Sequence, residues 1–140
     1  MSIQYCSEDT SIPKFQKRKV THWIKETIVL EGKTLGDITI IFCSDTYLLE
    51  VNKQYLNHDY FTDIITFDYV EGLVVSGDIF ISCDRVKENA AEFNTGFDNE
   101  LMRIVIHGVL HLLGYKDKNK KDKLLMTAKE DYYLKVLSDS

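Results

Sequence analysis

The sequence predicts an α+β fold, a small mixed sheet covered by helices, with the chemically richest helix in the C-terminal half. Three observations carry this. Apolar, β-branched runs cluster in the first half, at 37–43 (DITIIFC), 64–70 (IITFDYV) and 77–82 (GDIFIS). From residue 83 onward the apolar residues recur at helical rather than strand spacing. At 140 residues and 44% hydrophobic content the chain suits one core, so residues 1–140 are expected to form a single domain.

Each element follows in order. Ile3 and Tyr5 alternate in a first strand at 2–6. Ser11 and Pro13 suit a helix start, and the helix is expected to reach Glu31, with Val20, Trp23, Ile24 and Ile28 inward and Gly32 as its stop. The run 37–43 reads as a buried strand. Asp45 is expected to cap a short helix carrying Leu48, Val51 and Tyr55. The two later strands are joined through Glu71-Gly72, which favours antiparallel pairing. Ser82 caps a helix with Val86, Ala90 and Phe93, ended by Gly96. Asp98 opens the next, which runs to Leu113 before Gly114. A last helix spans about 120–137, with Leu125, Ala128, Tyr132 and Val136 predicted as its buried stripe.

Composition narrows the function classes. No apolar stretch approaches the roughly 18–20 residues of a membrane span, so no membrane partner is expected. The first residues lack a basic segment followed by an apolar run, which predicts no secretory leader. Cys6, Cys43 and Cys83 are odd in number and form no CxxC pair, which suits a reducing, cytoplasmic setting and argues against a cysteine zinc site. The net charge of -5 opposes non-specific nucleic-acid binding. Two basic clusters stand against that background: Lys14, Lys17, Arg18 and Lys19, and the run 116–123 with five lysines against two aspartates. Spacing alone favours solvated surface for both.

The chemistry concentrates in 104–117 (IVIHGVLHLLGYKD). His107 and His111 lie four residues apart, on one face of a predicted helix, one turn from each other. Two imidazoles in that relation can grip one ion. Gly114 permits a sharp turn, after which Asp117 can return as a third ligand. The pattern H-x-x-x-H-x-x-G-x-x-D follows metzincin ligand spacing, with Asp at the usual third His. Three protein ligands leave a fourth position open to water, the catalytic arrangement of zinc. The alternative, two hydrogen-bonded core histidines on an almost wholly apolar helix, is weaker, because each unsatisfied buried polar group costs about 1–3 kcal/mol. Position 108 is glycine where the peptidase pattern H-E-x-x-H carries its general base, so amide hydrolysis is disfavoured and no side chain is assigned as base. Lewis-acid chemistry on phosphodiesters fits better, with Lys116, Lys118, Lys120 and Lys121 placed to hold a polyanion.

Residues 107–115 (HGVLHLLGY) resemble the signature of the YbeY family of bacterial endoribonucleases and rRNA maturation factors. Asn52-Lys53-Gln54-Tyr55, Asp59-Tyr60, Thr62-Asp63-Ile64, Thr66-Phe67 and Gly77-Asp78-Ile79 resemble its upstream blocks, so the likeness covers about 36–135. The resemblance implies a zinc-dependent, single-strand-directed endoribonuclease with one ion per chain. It further implies action on the 3′ end of small-subunit ribosomal RNA, contact with the small subunit and a part in ribosome quality control. Two positions depart from the family. Lys116-Asp117 replaces Asp-His, so Asp117 would take the third histidine's place, and an anionic ligand is expected to leave bound water less acidic. Leu56 stands where the family tends to carry arginine, and His58, Lys53 or the 116–123 run are the candidates to fill that role.

Asp78 is a candidate hydrogen-bond partner for a ligand histidine, of equal standing with a plain strand-end carboxylate. Three readings remain from sequence: a metal-dependent ribonuclease, with either a metal hydroxide or an RNA 2′-hydroxyl attacking; a non-catalytic, metal-containing ribosome-assembly factor, favoured by Leu56; and, disfavoured by Gly108, a metallopeptidase.

Overall fold

The computed structural model describes residues 1–140. Its elements are β1 (Ser2–Ser7), α1 (Lys17–Leu30), β2 (Thr34–Cys43), α2 (Asp45–Leu56), β3 (Ile64–Asp68), β4 (Val74–Ser82), α3 (Cys83–Glu92), α4 (Phe97–Leu112) and α5 (Lys120–Ser138). The sheet has the order β1-β2-β4-β3. β1, β2 and β4 run parallel and β3 is antiparallel to β4, so the sheet is mixed as the strand runs imply.

The two sheet faces are covered differently. Ile38, Ile40, Phe42, Val75, Ile79 and Ile81 face α1 and α4 and build the main core with Trp23, Ile24, Ile28, Val105, Val109 and Leu112. On the other face a smaller cluster, Cys43, Leu48, Val51 and Ile65, packs with Phe67 and Phe80 under α2. α5 lies against α4 and α1, and the indole N–H of Trp23 donates to the Tyr133 carbonyl at 2.8 Å.

Capping follows the sequence with small shifts. Ser44 rather than Asp45 caps α2, accepting from Tyr47 N–H at 3.1 Å. Asp45 instead holds Arg85 and the Ser82 hydroxyl, at 3.0 and 3.2 Å. Ser82 caps α3 as expected. Gly96 precedes α4, whose first turn carries Asp98 and Glu100 where carboxylates favour the positive helix end.

Three expectations are corrected. Residues 11–16 are not helical, and α1 begins at Lys17. Ile12 precedes proline and is thereby biased out of the helical region. Phe15 then packs edge-on to Tyr5 at 5.2 Å and against Phe42, which draws the segment along the sheet. The buried residues of α5 are Met126, Glu130 and Tyr133; of the predicted stripe Leu125, Ala128 and Tyr132 are exposed, and only Val136 packs on the core. The charge at 130 hid the buried set from a hydrophobic-period reading. Tyr55 and Phe93, counted as inward, are both exposed.

The approach of α4 to the sheet rests on two glycines. A Cβ at Gly108 would stand 2.8 Å from Ile79 Cγ2 and 2.9 Å from Ile64 Cδ1. One at Gly77 would stand 2.6 Å from the Phe67 carbonyl oxygen and 2.7 Å from a Leu112 methyl. Gly108 therefore faces the sheet, and a glutamate there would be driven into the core rather than toward the histidines. Gly108→Ala gains about 1 kcal/mol of helix propensity but overpacks a site where such insertions cost about 1–3 kcal/mol. We expect net destabilisation, read as a melting temperature lower by roughly 3–5 °C; an unchanged or higher value would contradict the close packing.

Candidate metal centre

α4 turns its apolar sides to the sheet and to its neighbouring helices, which leaves His107 and His111 half-buried on the remaining side. The helix ends in a Schellman turn. Gly114 N–H donates to His111 O and Tyr115 N–H to Leu110 O, both at 3.0 Å, with Gly114 at φ +104°. That reversal returns Asp117 to the histidines. His107 Nε2 and His111 Nε2 are 2.9 Å apart, and Asp117 Oδ2 lies 3.4 and 3.6 Å from them. One ligand atom from each of the three residues falls within 4.8 Å of the others, so the cluster could hold a metal ion.

The ring nitrogens facing away decide what these atoms offer. His111 Nδ1 is 3.0 Å from the Tyr115 carbonyl oxygen, which can only accept, so the proton sits on Nδ1 and Nε2 presents its lone pair. His107 Nδ1 donates to Glu130 Oε2 at 2.6 Å. Glu130 is buried on α5 and also accepts from Arg103 at 2.8 Å, while Arg103 reaches Asp131 at 2.7 Å. Burial disfavours the charged form of His107, but Glu130, with Asp117 and Asp63 behind it, outweighs burial and raises its pKa. Burial lowers the pKa of His111, and the neighbouring His107 charge lowers it further. The two Nε2 atoms lie within hydrogen-bond distance of each other, on the side of the helix that Asp117 also faces.

The donor set fits zinc. Two ligands each about 2.0–2.1 Å from one tetrahedral ion stand roughly 3.3 Å apart, and the three separations here scatter about that value. The chemistry also suits it: two imidazoles and one carboxylate, with both imidazoles anchored through their other nitrogen.

The remaining sequence candidates are placed as follows. Lys116, Lys118, Lys120 and Lys121 are exposed around Asp117 and the start of α5, and form no ion pair. Lys53 on α2 pairs with Glu50 and Asp59, at 3.7 and 3.5 Å. His58 stacks on Tyr60 in an exposed loop, its Nδ1 3.0 Å from the tyrosine hydroxyl. Neither touches the cluster. Asp78 is corrected: it lies on the sheet face away from α4 and accepts from the Tyr69 hydroxyl at 3.2 Å. The carboxylate that meets a cluster histidine is Glu130. Sequence reasoning missed Glu130, Arg103 and Asp63. The available signal was an acid standing in register with Met126 and Tyr133 on one helix face. Asp63, just before β3, is half-buried and close enough to feel the charges of His107 and Asp117, and burial raises its pKa.

A second network anchors the returning loop. Glu31, after α1, accepts from the Tyr115 hydroxyl at 2.5 Å, from Lys129 at 3.2 Å, and from the Tyr133 hydroxyl. It thereby joins α1, the turn after α4, and α5.

Comparison with known proteins agrees in sequence and in fold. The family model described as Endoribonuclease YbeY matches residues 2–138. An endoribonuclease YbeY of Parabacteroides distasonis is 50% identical over 139 residues, covering 99% of this chain and 98% of that protein. One of Flavobacterium psychrophilum is 55% identical over 115 residues, covering 82% of each. The solution structure of TM1509 from Thermotoga maritima aligns with a TM-score of 0.68 at 31% identity, over 97% of this chain and 89% of that one.

Burial alone would raise the pKa of Glu31, but hydrogen bonds from Tyr115 and Tyr133 and the Lys129 charge prevail and lower it from its ordinary 4.5. A depressed folded-state pKa gives stability that is complete above the unfolded value and lost as pH falls through the folded one. We expect Glu31→Gln to cost about 1–3 kcal/mol in urea unfolding at pH 7. The gap to wild type should narrow below pH 4.5; a gap constant down to strongly acidic pH would remove Glu31 from this role.

Proposed function

The chain belongs to the endoribonuclease YbeY family, and from that premise we propose a zinc-dependent endoribonuclease that cuts single-stranded RNA. Its proposed role is maturation of the 3′ end of small-subunit ribosomal RNA in the cytoplasm, with contact to the small subunit and a part in ribosome quality control. The single observation that carries the metal reading is the convergence of His107 Nε2, His111 Nε2 and Asp117 Oδ2 with both Nδ1 atoms already engaged. No helix is long and apolar enough to cross a membrane.

In this reading His107, His111 and Asp117 would hold one zinc ion, and a bound ion would supply Lewis acidity toward a phosphoryl oxygen and toward water. The chain supplies the rest. Glu130 keeps the proton of His107 on Nδ1, and the Tyr115 carbonyl does the same for His111, so both rings offer Nε2. Asp117 brings the negative charge that two neutral imidazoles lack. The unpaired Lys116, Lys118, Lys120 and Lys121 hold the phosphates on either side of the cut by charge, without base preference. The space of a peptidase glutamate is closed, because Gly108 faces Ile79 and Ile64. A non-catalytic assembly factor would use the same lysines, and loss of His111 separates the two readings.

Metal analysis should return one zinc per chain, and wild type should cut single-stranded RNA while His111→Ala does not. Equal cleavage by both proteins would end the assignment. In calorimetric titration Asp117→Ala should weaken zinc binding and Asp117→His should keep or tighten it. Glu130→Gln, which keeps the shape but removes the charge beside His107, should weaken zinc by about tenfold or more; unchanged affinity would remove Glu130 from the site.

A further inference from the structure

A cavity of about 260 Å³ adjoins the cluster at His107 and is lined also by Glu130, the partner of that histidine. Asp63 forms another part of the wall, Asn89 and Phe93 come from α3 and its end, and Glu100 and Arg103 come from α4. Its volume lies below the range of pockets for drug-sized ligands, which suits a smaller group.

The lining selects the kind of group. Three carboxylates, Asp63, Glu100 and Glu130, face a single guanidinium, and Arg103 is already held by Glu130 and Asp131. A phosphate is therefore repelled. Phe93 is 62% exposed, an open aromatic face with no core to serve. The Asn89 amide and the Asp63 carboxylate make no hydrogen bond to another side chain, and Glu100 uses one oxygen for Thr95. Asp63 is engaged only by nearby backbone N–H groups, so lone pairs remain on Asp63 and Glu100, and an aromatic face beside such acceptors is how proteins take an unstacked RNA base.

We propose that this cavity takes one nucleobase of the RNA, next to the phosphate at the His107–His111–Asp117 cluster, and favours bases whose edge presents an amino group. The inference rests on the ribonuclease reading and adds its base preference. Cytosine, adenine and guanine carry an exocyclic amino donor for a carboxylate. Uracil would set its C4 carbonyl against Asp63 or Glu100, acceptor against acceptor. Phe93 stacks on the base, and Asn89 reads its edge beside the carboxylates.

Cytidine and uridine hexaribonucleotides isolate this difference, since the two pyrimidines have nearly the same shape. Binding is read by fluorescence anisotropy on the chelator-treated full chain, and kcat and KM on the zinc-loaded protein. Wild type should bind the cytidine hexamer roughly tenfold tighter than the uridine one. Phe93→Ala should lose roughly tenfold in affinity, with a matching rise in KM, and Phe93→Tyr should restore both. Asn89→Ala should reduce the cytidine-to-uridine ratio, which a merely structural role would not move. Unaltered melting curves for the exposed Phe93 and half-buried Asn89 variants would separate base contact from misfolding. Equal affinity of wild type for the two hexamers, or Phe93→Ala indistinguishable from wild type, overturns the inference while leaving ribonuclease activity standing. A wild-type protein that neither binds nor cuts either hexamer overturns both.

Discussion

A histidine can present either ring nitrogen, and an ion site works only if that freedom is removed. Here it is removed twice, by hydrogen bonds to Nδ1. Glu130 fixes His107 and the Tyr115 carbonyl fixes His111, so both Nε2 atoms meet on one side of α4. The partners come from different places: Glu130 from the helix packed across α4, and the carbonyl from the turn at the helix's own end. The cluster therefore depends on the docking of α5 as much as on α4 itself. Glu31 reinforces that docking by binding the turn through Tyr115 and α5 through Lys129 and Tyr133.

The same economy shows in the glycines. Gly77 and Gly108 let α4 settle against β4, which places the histidines at the cleft. Gly108 also leaves no room for a longer side chain at the position after the first histidine, because that position faces Ile79 and Ile64.

Charge is divided around the cluster. Unpaired lysines lie around Asp117, while the cavity beside His107 is lined mainly by carboxylates. In the proposed reading this division has a physical sense: the exposed lysines would meet backbone phosphates, and the carboxylate-lined recess would suit a neutral base better than a phosphate.

Local sequence alone determined the frame of the His107–His111–Asp117 cluster. Spacing of i, i+4 places two histidines one turn apart on any helix, and glycine is the residue that readily adopts the left-handed turn that brings Asp117 back. The strands were legible because β-branched runs fit a buried sheet. What only tertiary structure decided are contacts between residues far apart in the chain. Glu130 carries no local signal of its role, which appears only when α5 packs its charge against His107 and Arg103, 23 and 27 residues away. Asp78 reads equally as a histidine partner or a strand-end carboxylate until strand pairing turns it to the face away from α4, beside Tyr69. Periodicity gives a residue's side of its own element; which element lies across from that side is set by packing, and at this site packing selected the acid that holds the histidine.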